Sequence, residues 1–390
     1  MLPMERRASA SLASIFALRM LGLFLVLPVF VLEARKYPGG DDAAWVGLAM
    51  GIYGLTQGIL QIPFGMASDR FGRKRVMVVG LVIFALGSAL AAWAPTLLWL
   101  VVGRSVQGAG AISAAVTALL ADQTRDVVRT KAMALVGASI GLMFALSLVL
   151  SPLLAAVVGL HGLFAITAVL AVAGIGVVVW WVPPEPTEHV AVGRGGLRQV
   201  LSHPGLLRLD FGVFVLHAVQ LSMWMALPAM MVEAGLDKDH HWTLYLPAVL
   251  ASFFVMGATL FPLEKRGYLR AVFLWAVGLV GVVQVGLLFV ATHTPTLPVL
   301  AFLLFAFFCA FNILEASQPS MASRLAPAAS RGTALGVYNT LQSLGFFVGG
   351  AVGGWVVKTA GAPGLFLLSS LAILAWLGVA WGMQAPKVAS

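Results

Sequence analysis

Apolar residues run along this chain in stretches of about twenty, separated by short polar segments, and about twenty is the length that carries an α-helix across some 30 Å of hydrocarbon. The first six stretches fall at 10–32, 43–66, 75–93, 97–121, 131–157 and 162–182. The second six fall at 210–232, 243–263, 269–291, 297–322, 333–357 and 363–383. A polar stretch from Pro183 to Leu209 parts the two sets. The pattern predicts an all-α integral membrane protein with twelve transmembrane helices in two six-helix bundles. The predicted boundaries are 1–182 for the first bundle, 183–209 for a cytoplasmic linker and 210–390 for the second bundle. The first stretch follows Arg6-Arg7 and is too long for a signal-peptide core of about 7–15 residues, so it reads as a span.

Composition agrees with lipid as the main solvent. Of 390 residues, 60% are hydrophobic and 10% charged, against about 25% charged in soluble domains. The net charge of +9 comes from bases in short loops, with no basic stripe interleaved with aromatics, so nucleic acid is not an expected partner. The bases also orient the chain. With the N-terminus inside, 18 of the 24 Lys and Arg lie in inside segments, and only Arg35, Lys36, Lys238 and Lys358 lie outside. The positive-inside rule then puts both termini in the cytoplasm of a plasma membrane, here the bacterial inner membrane. Cys309 is the only cysteine and has no partner for a disulfide. No nucleophile–base set and no metal-ligand spacing is present, so neither an enzyme, a cofactor nor a metal is expected. The expected partners are a small-molecule substrate, protons and the bilayer, with the chain acting as a monomer.

The halves echo each other. Asp69-Arg70-Phe71-Gly72-Arg73-Lys74-Arg75 follows span 2, and Glu264-Lys265-Arg266-Gly267-Tyr268-Leu269-Arg270 follows span 8. Arg129-Thr130-Lys131 opens span 5 and Arg331-Gly332-Thr333 opens span 11. Two six-helix halves related by an axis along the membrane normal form a transporter architecture, with the solute site between them.

A positive-inside loop would explain the bases between spans 2 and 3. It would not explain an aspartate with glycines four before and three after it. Gly65-Met66-Ala67-Ser68-Asp69-Arg70-Phe71-Gly72-Arg73-Lys74 resembles the G-x-x-x-D-R-x-G-R-K signature of the major facilitator superfamily. Leu100, Arg104, Gln107 and Gly108 resemble its span-4 pattern. Further stretches, including Arg19-Met20-Leu21-Gly22 and Asn312–Pro319, are similar to the YajR-like branch of its drug:proton antiporters, without the soluble C-terminal domain some relatives carry. The resemblance implies a latch. Asp69 would sit near the start of span 11, Arg73 would pair with Asp122 at the end of span 4, and the glycines would permit close helix contact. The Gly-Pro of antiporter span 5 is here Ser151-Pro152 with no following glycine pair, which leaves export and import both open.

Three full charges fall inside spans: Arg19, Arg104 and Glu315. Each costs at least about 2.5–3.5 kcal/mol at a helix centre, so each is either a satisfied structural pair or part of a relay. Glu315 reads as the one buried acid and the first candidate to carry a proton, with His217 second. By the resemblance Arg104 assists proton transfer, and spans 1, 4, 7 and 10 line one cavity, to which Arg19 would belong. Gln107, Gln220, Trp224, Asn312 and Gln318 stand at helical spacing from these groups and either line a substrate pocket or satisfy one another between helices. The function expected is proton-coupled efflux of a small, amphipathic or drug-like solute by alternating access. A proton-coupled importer of the same fold and a non-transporting receptor are the alternatives.

Overall fold

The computed structural model describes residues 1–185, 197–327 and 330–383. The side chains of residues 126, 127, 129–131, 134, 261 and 265 fall outside that description, as do residues 186–196 of the expected linker. The described chain is helical, with no strand. Its first half contains α1 (Pro3–Val26), α2 (Phe30–Ala34), α3 (Ala43–Phe71), α4 (Arg73–Ala92), α5 (Leu97–Ala109), α6 (Ser113–Asp122) and α7 (Asp126–Gly176), closed by a π-helical turn at Val177–Trp181. The second half contains α8 (Leu197–Leu201), α9 (Pro204–Glu233), a 3₁₀ turn at Lys238–His240, α10 (Trp242–Lys265), α11 (Leu269–Thr292), α12 (Leu297–Leu325) and α13 (Arg331–Trp381).

Ten helical segments among the described residues are long and apolar enough to cross a membrane, α5 and α6 together making one. Two of them, α7 and α13, run for 51 residues. At 1.5 Å per residue each would reach about 77 Å, far more than one bilayer. Each breaks at a glycine instead. Gly159 has φ 63° and ψ −171°, and Gly361 has φ 64° and ψ −170°, a region that side chains with a Cβ do not tolerate. Each long helix is therefore two spans, and the count of twelve follows.

The repeat is written in the backbone. Among the described residues, six glycines with positive φ form three pairs: Gly39 with Gly235, Gly72 with Gly267, and Gly159 with Gly361, at separations of 196, 195 and 202 residues. Hydrogen bonds repeat as well. Arg7 Nε donates to the Trp181 carbonyl (2.9 Å), and Arg208 donates to that of Gly382. Lys74 Nζ donates to Val182 O (3.0 Å), and Arg270 Nε to Met383 O (2.7 Å). In both halves, bases near helix starts satisfy the orphan carbonyls at the end of the last helix.

The chain forms two compact units, residues 1–41 with 52–191 and residues 42–51 with 192–390. The start of α3 belongs to unit 2. Glycines explain it. A Cβ on Gly47 would lie 2.2 Å from Gly350 O, and one on Gly354 would lie 2.4 Å from Ala43 O, so backbone packs directly on backbone. Lys358 Nζ closes this seam on Asp42 Oδ2 at 2.6 Å. The core of unit 1 gathers Leu12, Ile15, Met77, Leu81, Ile112 and Leu119, all at most 1% exposed. Large apolar side chains such as Trp180, Phe254 and Val157 stay exposed, as a lipid-facing surface requires.

Candidate functional site

In unit 1 the loop motif is built around Arg73. Its guanidinium pairs with Asp69, one helical turn before it, and its Nε lies 3.3 Å from Asp122 Oδ2 at the end of α6. Its Nη1 also donates to Ser68 Oγ at 2.7 Å. One base thus joins the ends of α3 and α6. Gly72 serves the turn rather than close helix contact: it is the N-cap of α4 with φ 96°. Gly65 likewise has only an ordinary neighbour, Ala114, 3.5 Å from where a Cβ would stand. No side chain of α4 or its own cap satisfies the first amides of that helix. Glu185 does so from beyond the last span of the unit, accepting from Arg73 N at 3.0 Å and Lys74 N at 2.6 Å. A carboxylate there meets both the orphan N–H groups and the positive end of the helix dipole. The exposed Arg70 lies over the Phe71 ring, 5.4 Å from its centroid.

Deeper in unit 1, Arg19 and Arg104 are each 1% exposed. Tyr53 stands between them. Its hydroxyl accepts from Arg19 Nη2 at 2.8 Å, and its ring lies 5.1 Å from the Arg104 guanidinium carbon. Arg19 also donates to Ser113 Oγ (3.0 Å) and Gly110 O (3.2 Å), and it has no acid within ion-pair distance among the described residues. The Gly110 carbonyl lies where the helix breaks between α5 and α6, so Arg19 serves a backbone group outside the regular ladder. Arg104 Nη1 donates to Gln107 Oε1 at 2.6 Å, and Gln107 Nε2 donates to Ser88 Oγ at 2.9 Å. Gln107 is fully buried and engaged between helices.

In unit 2 the chemistry centres on His217 and Glu315, whose Nε2 and Oε2 lie 3.3 Å apart. The His217 side chain is 2% exposed and that of Glu315 is 38% exposed. Nδ1 of His217 donates to Val213 O at 2.8 Å, which leaves Nε2 as the nitrogen facing Gln342 and Glu315. Gln342 Nε2 donates to His217 Nε2 at 2.8 Å and to Glu315 Oε1 at 3.3 Å. Phe346 and Phe311 set the imidazole edge-on at 4.9 and 6.0 Å between centroids. The site has two states. Without a proton on Nε2, the ring accepts from the Gln342 amide. With one, Nε2 becomes a donor to Glu315, whose Oε2 has no other hydrogen-bond partner among the described residues.

Of the residues read as pocket lining, Asn312 donates to Ser252 Oγ at 2.8 Å, and Trp224 packs edge-on to Tyr245 at 5.5 Å. Gln318 is fully buried with Oε1 and Nε2 both unpartnered among the described residues, and Gln220 keeps an unpartnered Oε1. Gln107 and Asn312 thus satisfy neighbours between helices, while Gln220 and Gln318 retain free capacity. Glu315 is not the one buried acid of the spans. Asp210, at the predicted boundary of span 7, lies seven residues inside α9 and is 5% exposed. Sequence reasoning also misses Tyr53, Glu185 and Gln342. Only Asp210 leaves a trace, because it precedes His217 by seven residues on one helical face.

The sequence profile of the Major Facilitator Superfamily matches residues 12–350. The chain belongs to the major facilitator superfamily. This superfamily member is 42% identical over 394 residues to the inner membrane transport protein YajR of Escherichia coli, covering 100% of this chain and 86% of that one. It is 29% identical to the multidrug resistance protein MdtH of Yersinia enterocolitica, over 95% and 93% of the two chains. The fold matches that of a D-xylose–proton symporter with TM-score 0.77 at 15% identity, over 97% and 98% of the chains. A major facilitator chain with these relatives is a multi-pass membrane transporter and not an enzyme.

Proposed function

We propose that this transporter is a proton-coupled antiporter that exports a small amphipathic solute by alternating access, with both termini in the cytoplasm of the inner membrane. The observation that carries the reading is the His217–Glu315–Gln342 group. A buried imidazole with one nitrogen tied to the backbone and the other facing a carboxylate is a one-proton device. In this reading Arg19 and Arg104 set the field of unit 1, and Asp69, Arg73 and Asp122 hold the basic end of that unit during the cycle. Gln220, Gln318 and Trp224 contact the solute. The MdtH likeness supports the efflux direction.

Purified protein in liposomes with an imposed pH gradient, screened against a panel of amphipathic solutes, tests the reading. Solute movement against the direction of proton flow supports antiport. Co-directional movement makes the protein a symporter, and absence of solute-dependent proton flux in folded protein contradicts coupling altogether.

A further inference from the structure

Beside the partly exposed Glu315, a helix of unit 2 holds an acid that is buried. Asp210 is 5% exposed, and its Oδ2 has no hydrogen-bond partner among the described residues. No base pairs with it there. Arg208, two residues earlier on α9, donates to the Gly382 carbonyl instead. A structural buried carboxyl is normally hydrogen-bonded, and an unpartnered buried charge is unfavourable, so a proton is the natural ligand of this group.

Its neighbours place it on a path. Asp210 precedes His217 by two helical turns on the same face of α9, about 10 Å along the axis. On α13, Tyr338 precedes Gln342 by one turn. Tyr338 is 2% exposed, and its Oη is unpartnered among the described residues. Among the described residues no cation pairs with Asp210: on α13 Arg331 donates to the Ser323 carbonyl and Lys358 pairs with Asp42, and on α12 Arg324 pairs with Glu264. Arg198 of α8 is exposed, Lys238, Asp239 and His240 lie at the far end of α9, and α12 contributes Glu315.

We propose that Asp210 is a second proton-binding site of unit 2, set between the start of α9 and the His217–Glu315 pair. The inference rests on the proton-coupled reading. A proton leaving the Asp210 carboxyl leaves a carboxylate behind.

Infrared difference spectroscopy of the full-length protein during a pH titration tests this without reference to transport. The wild type's carboxyl C=O difference band should contain one component from Asp210 and one from Glu315. Asp210→Asn should lose one and keep the other, which Glu315→Gln removes. Asp210→Glu should restore the lost component at a shifted midpoint, which separates proton binding from a folding defect. An Asp210→Asn titration identical to that of the wild type, in protein with unchanged thermal unfolding, would overturn the proposal. In liposomes, Asp210→Asn should shift the pH midpoint of solute-driven proton flux while solute–solute exchange persists. If the wild type shows no such flux, the coupling reading fails, and the infrared comparison alone still decides whether Asp210 binds a proton.

Discussion

Arg73 and Asp122 approach to 3.3 Å across the ends of α4 and α6, and the same guanidinium holds Asp69 on its other side. Unit 2 solves the corresponding problem with one pair fewer: Arg324, at the end of α12, reaches Glu264 directly at 2.7 Å. The helix end that carries an acid in unit 1 carries a base in unit 2. Unit 1 therefore needs a third residue to reconcile two carboxylates, and unit 2 does not.

This geometry separates cycling from stability. The Asp69 side chain is 65% exposed, so Asp69→Asn should cost no more than about 1 kcal/mol of stability. Solute turnover should fall about tenfold or more, a barrier increase of about 1.4 kcal/mol, with solute affinity near that of the wild type. Binding and transport assays on the same preparation check this.

Glu185 caps α4 from 112 residues away in sequence. Glu185→Ala should destabilise the protein by about 1 kcal/mol, in the range of N-cap removals. The amides of Arg73 and Lys74 should lose protection in hydrogen exchange, while those in the middle of α4 keep theirs. Unchanged protection at both amides would refute the cap.

Glycine positions should divide by what surrounds them. Gly47→Ala places a methyl group against the Gly350 carbonyl and should cost about 1–3 kcal/mol as an overpacked contact. Gly278→Ala, inside α11 with nothing within 4 Å of the new methyl, should stabilise by about 0.5–1 kcal/mol. Thermal unfolding in one detergent compares the two.

The Asp42–Lys358 pair should report on acid. The Lys358 ammonium holds the Asp42 carboxyl below the usual carboxylate range. The folded state thus gains from this pair above the carboxyl's ordinary value and loses the gain as the pH drops through the lowered one. The stability difference between the wild type and Asp42→Asn should be full at neutral pH, begin to shrink below about pH 4, and vanish only once the pH falls below the lowered value.

Much of this architecture is legible in the sequence because it depends on local pattern. Span lengths, the distribution of bases and the spacing around Asp69 are all properties of short windows. The paired turns at Gly72 and Gly267 could be read in the same way. What stayed hidden is tertiary. Nothing near Arg19 or Arg104 in sequence points to Tyr53, and nothing near Arg73 points to Glu185. Gln342 joins His217 and Glu315 from a helix whose pattern is dominated by glycine and apolar residues. Asp210 was lost for a different reason: it stands at the edge of an apolar stretch, where hydropathy reads a loop, and the helix begins six residues earlier.

The central claim is that Glu315 and His217 couple solute movement to a proton. The most direct test is solute-driven proton flux in liposomes containing the wild type or Glu315→Gln, measured beside solute–solute exchange. The account predicts that the variant loses proton flux and retains exchange. Proton flux in Glu315→Gln equal to that of the wild type would contradict it.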